Sequence, residues 1–140
     1  MEPALWAKAH GAAVHFPIAL AFGSGLLDTA GFALGERPLA RELHGGGYWT
    51  ILIGALGSVP AVISGLVMTK GSWLGPGALR LHHVFVWPAF ALLVGLAVWR
   101  VGTGARAPRR TFAVYLAATG LMIGLMSAAG YWGGEMVVAR

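Results

Sequence analysis

The chain has 140 residues, 57% apolar and 11% charged, with 22 glycines and a mean hydropathy of +0.71; a soluble domain is nearer half apolar and a quarter charged, so this composition specifies an integral membrane protein of one domain, residues 1–140. Cysteine is absent, which excludes disulfides, thiolate metal sites, iron–sulfur clusters and covalently attached c-type haem. The net charge of +5 sits mostly in short stretches between apolar runs, so it reads as a topological signal and not as a nucleic-acid surface.

The charges punctuate the chain. Uncharged runs of 19, 27, 19 and 24 residues lie between Lys8 and Asp28, Glu42 and Lys70, Arg80 and Arg100, and Arg110 and Glu135. About 20 apolar residues in a helix cross a ~30 Å hydrocarbon core. The spacing predicts four spans, at roughly 9–34, 45–69, 81–101 and 111–134. None of these runs alternates with period two, which argues against strands. The first run is too long, and its charged flank too weak, for a cleavable signal peptide. Short linkers at 35–44 ("GERPLARELH"), 70–80 ("KGSWLGPGALR") and 102–110 ("GTGARAPRR") make consecutive helices antiparallel neighbours. The expected fold class is all-α, an integral membrane four-helix up-down-up-down bundle.

Lys and Arg set the orientation. The side of the termini carries Lys8, Lys70, Arg80 and Arg140, and the other side carries Arg37, Arg41, Arg100, Arg106, Arg109 and Arg110. Six against four predicts termini outside the cytoplasm, periplasmic in a bacterial inner membrane. Trp6, Trp73, Tyr131 and Trp132 on one side, and Tyr48, Trp49 and Trp99 on the other, resemble interfacial belts. Gly120, Gly124 and Ala128, and Gly54, Ser58 and Gly65, form small-residue stripes suited to close helix packing.

Four of the five histidines open the first and third spans: His10, His15, His82 and His83. Those helices run in the same direction, so all four imidazoles belong to the membrane face of the termini. His10 and His15 diverge by about 140° and His82 and His83 by about 100°, at about 100° per residue. At most one from each helix therefore faces a given axial position. One His from each of two helices at similar depth is what bis-histidine haem b requires. Gly11, Phe16, Ala19, Phe85, Trp87 and Gly130 lie near that depth and suit a slot for a flat ring, and Arg80 or Lys8 suits its propionates. Interfacial histidines that only hydrogen-bond headgroups or helix ends are the plainer alternative. A zinc or copper site is a third, although diverging pairs make a compact tetrahedral site harder.

Asp28, about five turns into the first span, and His44, at the start of the second, fall on the opposite face. They are expected to pair across the hairpin, as a structural lock or as a proton-handling pair. Glu135 follows "GYWGG" at the outer end of the fourth span and either balances a cation or sits among headgroups.

"HGAAVHFPIAL", with His10, His15, Phe16 and Pro17, resembles the opening signature of a bacterial membrane-protein family catalogued as domain of unknown function 2231. "RLHHVF" resembles the His opening that family's third helix, and "GYWGGEM" its Gly-Gly-acid near the C-terminus. Gly11 departs from the pattern, standing where many members have proline. The resemblance spans nearly the whole chain and implies a four-helix protein. Relatives occur with cytochrome-like or redox modules, which implies electron transfer.

The combined expectation is a haem b subunit of a larger respiratory or redox complex, exchanging electrons with a quinone or cytochrome donor and embedded in lipid. His15 and His83 are the expected axial ligands of the haem iron, His15 for its greater depth. His10 and His82 are the substitutes. A six-coordinate iron offers no open substrate position, so the chain is not expected to be an enzyme by itself. A cofactor-free packing or assembly subunit, and a small metal- or ion-handling membrane protein, are the alternatives.

Overall fold

The computed structural model describes residues 3–103 and 107–138, and Arg106 and Arg140 of the charge comparison lie outside them. Four helices follow in order: α1 (Pro3–Leu34), α2 (Pro38–Met68), α3 (Gly77–Thr103) and α4 (Arg109–Val138). No strand occurs among the described residues, and all four helices are long and apolar enough to cross a membrane. The expected all-α membrane bundle is the observed one.

The helices run past the apolar spans, so the linkers are shorter than the charge pattern alone suggests. Pro38 starts α2 inside the stretch read as a linker, because proline's fixed φ and missing N–H suit the first helical turn. Gly35 closes α1 with φ +65°, the left-handed conformation in which glycine carries no steric penalty. Gly71, at φ +77°, returns its N–H to the Leu66 carbonyl at 2.8 Å and caps the end of α2. His44 consequently lies within α2, not at its mouth.

Each helix is apolar nearly all round, as expected where the solvent is lipid. Leu26, Leu56, Val98 and Val114 point outward, while the inner face of α2 is made of Gly47, Gly54, Ser58, Ala61 and Ser64. Small residues there let α1 press close. A Cβ at Gly54 would lie 3.2 Å from Leu20 and one at Gly57 2.7 Å from Phe16. A Cβ at Gly120 or Gly124 would meet nothing within 4 Å, so that half of the expected packing pattern faces outward.

α1 packs extensively on α2 and α3 on α4, giving two hairpins. Contacts between the hairpins, α2 with α3 and α1 with α4, are sparser, and α1 and α3 stand diagonally across the bundle. At mid-depth Ala21, Ile51, Leu93 and Met122, one from each helix and each fully buried, close the space between them. This apolar layer divides the interior into two polar ends.

Candidate functional site

The end away from the termini is filled. Asp28 of α1 is fully buried, and its Oδ1 accepts from His44 Nδ1 at 2.9 Å and from an Arg100 Nη at 3.0 Å. Its Oδ2 accepts from the Tyr115 hydroxyl at 3.0 Å. The same Arg100 nitrogen donates to the His44 carbonyl at 2.8 Å. The guanidinium also lies over the rings of Tyr48, Phe112 and Tyr115, at 5.9, 5.2 and 5.3 Å from their centroids. One carboxylate and one guanidinium cancel in charge, which makes burial of both tolerable in a low-dielectric interior. Glycines make the room: a Cβ at Gly47 would lie 2.6 Å from the Asp28 carboxyl, and one at Gly31 2.9 Å from the His44 ring.

The Asp28–His44 pair expected from the sequence is therefore formed, but it is part of a larger cluster. Arg100 reads in the sequence as an interfacial cation ending the third span. In the fold it is 1% exposed and joins the two hairpins. An arginine aligned in depth with an acid on another span was the available signal, and Tyr115 carried none.

The end of the termini holds an open-sided cavity of about 630 Å³ between the hairpins, with walls from all four helices. His10, His15, His82 and His83 all line it, which brings the four predicted histidines to one site. Gly11, Trp87 and Gly130 of the expected slot are on the walls, whereas Phe16, Ala19 and Phe85 are not. The walls are mostly aliphatic and glycine. Among the described residues no Asp, Glu, Lys or Arg lines the cavity. Lys8 and Arg80 are exposed near its rim.

The four imidazoles are held differently. His10 Nδ1 donates to the Ala61 carbonyl of α2 at 3.0 Å, with Ser64 Oγ 3.1 Å away, and its ring rests on Gly65, where a Cβ would come within 3.0 Å. His82 Nδ1 donates to the Ala129 carbonyl of α4 at 2.8 Å, and its ring rests on Gly133, where a Cβ would come within 3.4 Å. The two hairpins thus repeat one device: a His on the first helix, held by an Ala carbonyl on the second and seated on the Gly four residues later. In both, Nδ1 carries the proton and Nε2 keeps its lone pair. A backbone carbonyl holding Nδ1–H is the usual way a metal-ligating imidazole is oriented.

His15 and His83 do not share this arrangement. His15 is exposed and bonds through Nδ1 to the Gly11 carbonyl of its own helix. His83 is buried, its ring 5.7 Å from His82 and 6.0 Å from Trp87, and its Nδ1 has no hydrogen-bond partner. Among the described residues no three of His, Cys, Asp and Glu are grouped to hold one metal ion, which weighs against the zinc alternative. Glu135 is exposed at the outer end of α4.

A family model described as predicted membrane protein (DUF2231) matches residues 7–140, a range that includes both polar ends of the bundle. The chain belongs to that family. Neither the curated proteins nor the solved structures contain a match to it. As a DUF2231 protein with four membrane-long helices, it is a membrane protein in contact with lipid.

Proposed function

We propose that this DUF2231 protein is a haem b-binding electron-transfer subunit of a larger redox complex in the bacterial inner membrane. Its termini and haem site would face the periplasm, the orientation favoured by the Lys and Arg distribution. The observation that carries the reading is the matched pair His10 and His82. They come from diagonal helices, line one apolar cavity, and each commits Nδ1 to a neighbouring helix. A flat ring with two axial positions suits two such imidazoles, and the cavity volume lies within the usual range for cofactor sites. Depth alone favours His15 and His83; hydrogen bonding favours His10 and His82 as the axial pair.

Bound haem supplies one-electron chemistry, and the chain supplies its surroundings. Ala61 and Ala129 hold the Nδ1 atoms of His10 and His82, so their Nε2 atoms are the ones that would hold a haem iron. The walls, largely aliphatic, suit an apolar ring. The layer of Ala21, Ile51, Leu93 and Met122 separates the cavity from the Asp28 end, so exchange with a quinone or a cytochrome is assigned to the side of the termini. A haem held by both His10 and His82 would serve as an electron carrier, so the proposed role of the chain is electron transfer.

The test is the visible spectrum of the protein purified from membranes supplied with ample haem. Sharp reduced haem b bands are expected. A colourless protein, folded and in good yield, overturns the reading and favours a cofactor-free packing subunit.

A further inference from the structure

His15 stands apart from the other cavity histidines. It lines the cavity and yet is exposed, as are Gly130 and Gly134 of α4. A Cβ added at Gly11, Gly130 or Gly134 would meet nothing within 4 Å. The cavity therefore opens sideways between α1 and α4, a sparsely packed seam between the hairpins. His15 lies about 10 Å further along α1 than Lys8, at about 1.5 Å per residue, so the opening is below the headgroups and faces hydrocarbon. The same seam continues as a groove of about 240 Å³ walled by Phe22, Leu26, Leu116, Gly120 and Ile123. His15, Ile18, Phe22, Gly25 and Thr29 follow each other at helical spacing, so one face of α1 borders both spaces.

We infer that this seam admits a membrane quinol from the lipid, its ring at the cavity mouth with a hydroxyl donating to His15 Nε2 and its tail along the α1–α4 groove. A carbonyl can only accept, so His15 bonds to the Gly11 carbonyl as an Nδ1–H donor. In a neutral imidazole the other nitrogen is then an acceptor. An exposed acceptor within a hydrocarbon span is costly unless something donates to it. Among the described residues no Asp, Glu, Lys or Arg lines the cavity or the groove, which suits an uncharged occupant. A phospholipid does not fit, because its charged phosphate stays among the headgroups. A lipid with a neutral hydroxyl-bearing head and a hydrocarbon tail does. The choice of a quinol among such lipids rests on the haem reading above, which makes the neighbouring cavity the seat of an electron carrier.

The experiment measures binding of menaquinol, ubiquinol and tail-less menadiol to the protein purified from haem-supplied membranes, against detergent micelles without protein. Wild type is expected to bind a tailed quinol, and more tightly than menadiol. His15→Ala should weaken that binding by roughly tenfold, as for loss of one hydrogen bond in an apolar site, and leave the haem spectrum unchanged. Gly120→Leu fills the groove from an exposed position with open space at its Cβ. It should weaken the tailed quinol and spare menadiol. Gly95→Leu, equally open but on α3 away from the seam, should change neither. Wild type that binds no tailed quinol, or an affinity unmoved by His15→Ala, overturns the proposal. Loss of the haem spectrum in His15→Ala also overturns it, by making His15 an iron ligand. Equal losses from Gly120→Leu and Gly95→Leu overturn the assignment of the tail to the groove. A colourless wild type that still binds quinol through His15 overturns the haem reading alone.

Discussion

At one end of the bundle the hairpins meet through Asp28, Arg100, His44 and Tyr115; at the other they stand around a cavity walled by four histidines. Both ends hold ionisable groups inside a lipid-embedded helix bundle, where such groups are costly. At the Asp28 end the cost is offset within the chain. The carboxylate takes three side-chain donors, while Arg100 Nε is buried without a partner. At the histidine end, two imidazoles are held by carbonyls of a neighbouring helix, His15 by a carbonyl of its own helix, and His83 has an unpaired buried nitrogen. The first arrangement is that of a joint, and the second is the one proposed above to bind a cofactor. Each end leaves one buried nitrogen unpaired, so the two differ in the space around their polar groups: one end is filled and the other holds a cavity.

Variants at the two ends should behave differently. Asp28→Ala strands the Arg100 guanidinium in the interior and is expected to cost about 3–5 kcal/mol, measured by unfolding in mixed detergent. Asp28→Asn should cost less, because the amide oxygen still accepts hydrogen bonds. An Asp28→Ala protein as stable as wild type would break the contrast between joint and site. Gly47→Ala puts a methyl 2.6 Å from the Asp28 carboxyl and is expected to destabilise by about 1–3 kcal/mol. Tyr115→Phe removes one donor to Asp28 and should cost about 1 kcal/mol in the same assay. None of these should change the type of haem spectrum, since the apolar layer separates the ends.

At the cavity end the expected stability changes are smaller and the binding changes larger. Gly65→Ala brings a methyl to 3.0 Å from the His10 ring and should weaken haem binding by roughly tenfold through the tilt of the imidazole. Gly11→Ala, on the same cavity but with open space at its Cβ, gives the matched control. Equal loss from both would point to a general closing of the cavity and not to the seat of His10.

The architecture was legible because lipid imposes a long apolar period and expels charge, which Lys8, Lys70, Arg80 and Arg110 display directly in the sequence. Helix ends were less legible. Charged residues such as Arg41 and Glu42 are compatible with helix just outside the hydrocarbon core, so α2 extends through what reads as a loop. That the four histidines share one site followed from helix direction alone. How each nitrogen is held did not, because it depends on which carbonyl and which glycine the neighbouring helix presents. Ala61 with Gly65 and Ala129 with Gly133 acquire meaning only once α1 is seated on α2 and α3 on α4. Arg100 was misplaced for a related reason: position along a span does not reveal whether a residue faces headgroups or the interior.

The most direct test of the matched-histidine account is the reduced absorption spectrum of haem-loaded wild type beside five single variants, each His→Ala. The account predicts that His10→Ala and His82→Ala lose the six-coordinate low-spin bands, while His15→Ala, His83→Ala and His44→Ala keep them. Loss confined to His15→Ala and His83→Ala, with His10→Ala and His82→Ala intact, would contradict it.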